Sequence, residues 1–115
     1  MRPYPNALEI DHMTASLLKG GSRHEDTYAT RDDYDTVVAW YDAHYGHCRV
    51  MDEARAVWQD EGRLGMITQL TVVPMTQAWL PLLAGLDASV QFSLRTVITV
   101  TCLFPPRPWW RFWRA

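Results

Sequence analysis

The sequence predicts an α+β fold, with an antiparallel sheet of four to five strands packed on one main helix over 31–45. Three observations predict it. From Gln91 to Phe104, Phe92, Leu94, Ile98, Val100, Cys102 and Phe104 fall on one side and Gln91, Ser93, Arg95, Thr99 and Thr101 on the other, the period of a strand. Between Arg31 and Tyr45 the apolar residues instead recur at helical spacing. The remaining apolar runs are short and separated by Gly- and Asp-containing turns, which favours hairpins over crossovers. At 115 residues with 48% apolar side chains the chain has material for a single core. It divides into a domain over 1–104 and a tail over 105–115 rich in Pro, Trp and Arg.

The elements follow in chain order. Leu8, Ile10 and His12 alternate with Glu9, Asp11 and Met13, a weak strand pattern closed by the turn Lys19-Gly-Gly-Ser22. A short strand over 25–29 then feeds the helix. Thr30 is its expected N-cap, with Asp33 three residues on, and Asp32, Asp33 and Asp35 complement the helix dipole. Tyr34, Val37, Val38, Tyr41 and Tyr45 form its core stripe, and Gly46 ends it. Residues 51–59 fit either period. The turn Asp60-Glu-Gly-Arg63 favours strand, with Ala54, Ala56 and Trp58 on one face. Leu64, Met66, Thr68, Leu70 and Val72 mark the next strand, which Pro74 ends. A short second helix near 76–86, interrupted at Pro81, precedes a long final strand from Phe92 to Phe104. One sheet face meets the helix, and the Thr/Gln/Arg face is expected to be wet.

The front half resembles a group of small uncharacterised bacterial α+β domains. The residues that carry this are Tyr4-Pro5-Asn6-Ala7, Thr30-x-Asp32 and the helix run Val37-Val38-Ala39-Trp40-Tyr41. Those domains open with Tyr-Pro-Gly-Ala and carry a Thr-x-Asp cap before a Val-x-x-Phe-Tyr helix. Asn6 stands where glycine is typical, and asparagine tolerates the positive φ such a position requires. The resemblance implies α+β and brings no activity with it.

Charge is segregated. Residues 1–61 carry twelve of the thirteen acids against six bases, whereas residues 62–115 carry five arginines against Asp87 alone. The net charge of −2 therefore hides an acidic front and a basic end, and nucleic acid is not expected as a partner. No signal peptide and no apolar run of membrane-spanning length is visible, so the expected location is cytoplasmic, or peripheral at a membrane. Cys48 and Cys102 have no CxxC spacing and are expected to be reduced, Cys102 as a small apolar group.

Few residues suggest chemistry. His44, His47 and Cys48 are the densest group of metal-ligand types, but Gly46 breaks the helix between the histidines and four convergent ligands are not in view. No serine sits in a Gly-x-Ser-x-Gly elbow, and neither cysteine has a recognisable base beside it. No cofactor or catalytic residue is implied; the residues favour a non-enzyme, and a small-ligand-binding domain or small enzyme is the alternative. A ligand pocket between helix and sheet, lined by Tyr34, Trp40, Tyr41 and Trp58, is the alternative reading. The tail is the exception. Arg107 and then Trp109, Trp110, Arg111, Phe112, Trp113 and Arg114 are set among and after Pro105, Pro106 and Pro108, which are expected to stiffen the segment. Interleaved tryptophan and arginine suit a protein hot spot or an anionic membrane surface. The expected function is a non-catalytic interaction module that docks through this tail onto a larger assembly. Self-association is left open.

Overall fold

The computed structural model describes residues 4–17, 20–46, 50–51, 54–62 and 66–104. It is α+β, as the sequence predicts. The elements are β1 (Leu8–Ser16), β2 (Ser22–Thr30), α1 (Tyr34–Tyr45), β3 (Val50–Met51), β4 (Ala56–Glu61), β5 (Ile67–Pro74), a 3-10 segment (Gln77–Leu83), α2 (Ala88–Ser93) and β6 (Thr96–Phe104). They form one antiparallel sheet in the order β1-β2-β6-β5-β4-β3. The sixth strand is the two-residue β3 at one edge, too short for an alternation pattern to disclose. The β1–β2 hairpin and the β3–β6 meander are joined by α1, which crosses from β2 to the far edge, and β6 closes the sheet at its centre.

The N-terminal turn shows how local sequence sets the backbone. Ala7 N–H donates to Tyr4 C=O at 3.2 Å, and Asn6 takes φ 61. Pro5 then Asn6 is the composition of a type II turn, whose third residue must adopt positive φ. Asn6→Gly should leave stability within a few tenths of a kcal/mol, and Asn6→Val should cost about 1–2 kcal/mol from the left-handed clash. Chemical denaturation of the two variants measures this. Equal stability would show that the turn does not depend on the left-handed residue.

Helix α1 starts later than its pattern suggests. Thr30 stays in β2, where its hydroxyl accepts the Asp32 N–H at 3.3 Å, so capping passes to Asp33. The Asp33 carboxylate accepts the Thr36 N–H at 2.9 Å, and hydrogen bonding from the Thr36 side chain and from that N–H holds its carboxyl below the usual range. Gly46 ends the helix at φ 81, donating its N–H to Asp42 C=O at 3.0 Å. The bend lets Gly46 C=O accept the Trp58 indole N–H at 3.0 Å, tying the helix end to β4.

The main core lies between α1 and the sheet. Val37, Val38 and Tyr41 of the helix meet Ala56 and Trp58 of β4, Leu70 and Val72 of β5, and Ile98 of β6, with Tyr4 closing one side. All are buried. The stretch 51–59, read as one strand, is divided: Met51 belongs to β3 and 56–59 to β4, with Ala56 and Trp58 on the helix face. Ala54 lies before the strand, exposed in a bend.

The final strand is shorter than its pattern, because residues 88–93 are the helix α2 and β6 begins at Thr96. The Gln91–Leu94 alternation is too short to distinguish one helical turn from a strand. The second sheet face is also not uniformly wet. Leu83 of the 3-10 segment is fully buried over Ala29, flanked by Leu94, Ile10, Met75, Leu86 and Val90. Below this cap the face stays open, lined by Thr99, Thr101, Gln69 and Arg23.

Candidate functional site

The tail residues Arg107, Trp109, Trp110, Arg111, Phe112, Trp113 and Arg114 lie outside the described residues, as do His47 and Cys48. His44 is exposed at the end of α1, with its Nδ1 bonded to Trp40 C=O at 2.8 Å and its ring stacked on Trp40 at 3.9 Å. It is bound into its own helix turn, where a cation complements the dipole.

The pocket residues are placed together, but as packing. Tyr41 is fully buried and Trp58 is 2% exposed, with ring centroids 5.5 Å apart. Tyr41 also meets Trp40 edge-on at 4.9 Å and stacks on Tyr45 at 5.9 Å, and Tyr34 packs at the margin of the same cluster. These are ordinary core aromatic geometries. Burial pushes the Tyr41 phenol up, and it raises Tyr4 to about 12, with the adjoining Asp32 carboxylate adding to the shift. Tyr4 O–H donates to Asp32, whose backbone C=O accepts the hydroxyl of fully buried Thr96 at 2.7 Å. This pair of bonds fixes the β2–α1 corner.

Clefts among the described residues lie elsewhere. One, of about 760 Å³, opens beside that corner, between Asn6, Leu8, Arg31, Asp32, Asp87 and Val90. Another, of about 400 Å³, is the open part of the second sheet face, where Arg23 pairs with Glu25 at 2.6 Å under Trp79.

Among the described residues, a dense group of chemistry-bearing side chains lies on the helix-side face of the sheet. Registry places Thr14, His24, Cys102 and Thr68 in one row across β1, β2, β6 and β5. His12 and Asp26 pair in the next row. The His12 Nδ1 contacts the Asp26 carboxylate, and Asp26 holds the His12 imidazolium above its ordinary range through that bond and its charge. The Thr14 hydroxyl lies 3.4 Å from His12 Nε2 and 3.2 Å from His24 Nδ1. The other His24 nitrogen faces Ser22 Oγ at 3.4 Å, and its ring meets Phe104 edge-on at 5.2 Å. Cys102 is a half-buried free thiol 3.9 Å from the Thr68 hydroxyl. With both His24 nitrogens facing hydroxyls, that imidazole is not arranged as a base for the thiol.

Glu9 joins this group through a β-bulge. Pairing shifts between Glu9 and Asp11, which leaves Ile10 as an extra residue. Simple alternation separates Glu9 from His12, since residues three apart in a strand face opposite ways. The bulge restores them to one face and leaves Leu8 and Ile10 on the other, where Ile10 packs near Leu83. The sequence reading, which grouped Leu8, Ile10 and His12, missed the cluster for that reason. The only trace in the sequence is an acid on each side of Ile10.

No helix among the described residues is long and apolar enough to cross a membrane, which leaves strands unaddressed. No family model, curated protein or solved structure matches the chain.

Proposed function

We propose that the chain is a non-catalytic interaction module that docks through residues 105–115 onto a larger assembly, with an anionic membrane surface as the docking site to test first. The observation that carries this is the place from which the tail departs. Phe104 ends β6, and β6 is hydrogen-bonded on both sides, to β2 and to β5. A segment that follows directly on such a strand starts from a fixed base, which lowers the orientational freedom lost when its Trp and Arg side chains engage a partner. The close packing of Tyr41 and Trp58 also favours the docking reading over an aromatic pocket. Phe92 adds to it. This ring is 89% exposed and contributes nothing to the body, which leaves it as contact area for another surface.

The test compares the full chain with a version ending at Phe104. Both are sedimented with vesicles of phosphatidylglycerol or phosphatidylcholine, at low and high salt. Thermal unfolding of the two versions is compared alongside, and the docking reading expects it to be the same. Association with the anionic vesicles should require the tail and weaken in salt. If neither version sediments, the docking site is a protein assembly, and native pull-down with the same two versions locates it. Association that survives truncation overturns the proposal.

A further inference from the structure

We propose that Glu9, His12 and Asp26 form a binding site for a divalent transition-metal ion of the zinc type, on the β1–β2 hairpin. One donor atom from each of the three lies within 4.8 Å of the other two. Metal–ligand bonds of about 2.0–2.2 Å bring such donors together around one ion after small side-chain rotations. Exposure of Glu9 and His12 leaves those rotations free. The donor set is one imidazole and two carboxylates. The imidazole selects zinc-like ions over magnesium and calcium, which prefer all-oxygen shells. Three protein donors leave at least one coordination position for water or a further ligand.

Two features distinguish this group from acidic residues scattered on a surface. The first is the bulge, which places Glu9 and His12 on one face at the cost of a ladder position. The second is the support behind the imidazole. With His12 Nδ1 directed at Asp26, its Nε2 faces the Thr14 hydroxyl, which in turn faces His24 Nδ1. A ligating histidine generally has its second nitrogen fixed by such a partner, which sets its tautomer and ring orientation. Thr14 and His24 are therefore positioning residues. The proposed ligands and positioning residues all lie within β1 and β2, and none belongs to residues 105–115.

The experiment is calorimetric titration of Zn²⁺ into the tag-free, metal-stripped full chain, with Mg²⁺ and Ca²⁺ for comparison. One equivalent of Zn²⁺ should bind, and it should raise the melting temperature. His12→Ala and Glu9→Gln should each abolish the stoichiometric event while melting like the parent in chelator. Glu9→Gln keeps the test valid if His12→Ala does not fold. Thr14→Val should weaken binding by about tenfold to a hundredfold with unchanged stoichiometry, as expected for loss of a supporting contact. His44→Ala should bind like the parent. Absence of Zn²⁺ binding, or binding indifferent to both His12→Ala and Glu9→Gln, overturns the proposal. Loss of binding in His44→Ala alone overturns it too, and moves the ion to the end of α1.

Discussion

Trp58→Ala should cost about 3–5 kcal/mol, the largest loss for any single side chain of this fold. A small domain is stable by only about 5–15 kcal/mol, so the variant should be marginal at room temperature. Trp58 is 2% exposed and contacts Tyr41, the fully buried centre of the helix stripe. It also donates to Gly46 C=O and so holds the C-terminal end of α1 against β4. Truncation thus opens a cavity under the helix and removes the bond that docks the helix end. Trp58→Phe separates the two effects. It keeps most of the volume and loses only the indole donor, for about 1 kcal/mol. Urea unfolding followed by far-ultraviolet circular dichroism measures both. Equal losses for the two variants would show that the hydrogen bond, not the packing, dominates.

That position also shows which parts of the fold were legible. The helix stripe of Val37, Val38 and Tyr41 was readable because three-dimensional burial follows a periodicity written over a dozen residues. The strands carrying Leu70, Val72 and Ile98 were readable for the same reason, and Asn6 and Gly46 because positive φ restricts the residue type. Where the pattern is local and short, competing causes decide. Thr30 has the side chain of a cap, yet its strand pairing with Thr96 keeps it in the sheet, and Asp33 caps instead. Val50 and Met51 form a strand only because β4 offers an edge to pair with.

The candidate site was less legible still. Its residues converge through one bulge and through pairing between strands distant in sequence. Asp26 meets His12 across a hairpin, while Cys102 reaches the same face by closing the sheet. Alternation alone assigns faces modulo a bulge, and a single inserted residue reverses every assignment beyond it. The tail, by contrast, was conspicuous in composition, because eleven residues need no fold to hold three tryptophans and three arginines together.

Leu83→Ala should cost about 2–5 kcal/mol and should act differently from the Trp58 change. Leu83 is fully buried, yet it belongs to a short 3-10 segment that contains Pro81. Such a segment has poor hydrogen-bond geometry and little intrinsic stability, so packing must hold it. Leu83 supplies that packing by covering Ala29, which is too small to fill the space between sheet and cap. Its backbone C=O also accepts the Leu86 N–H at 2.9 Å, so its position sets the turn that leads into α2. Removing the side chain should therefore release residues 77–93 before the sheet opens. The β2–β6–β5 ladder beneath is secured independently, by α1 on the opposite face and by the Arg95 N–H bond to Thr30 C=O at 2.8 Å. Amide hydrogen exchange distinguishes the two variants. In Leu83→Ala, exchange should accelerate first over 77–93 while Tyr28, Leu70 and Ile98 stay protected. In Trp58→Ala, protection should fall together across α1 and the ladder. If the two exchange maps coincide, the cap and the helix-side core unfold as one unit, and the second layer is as integral to the fold as the first.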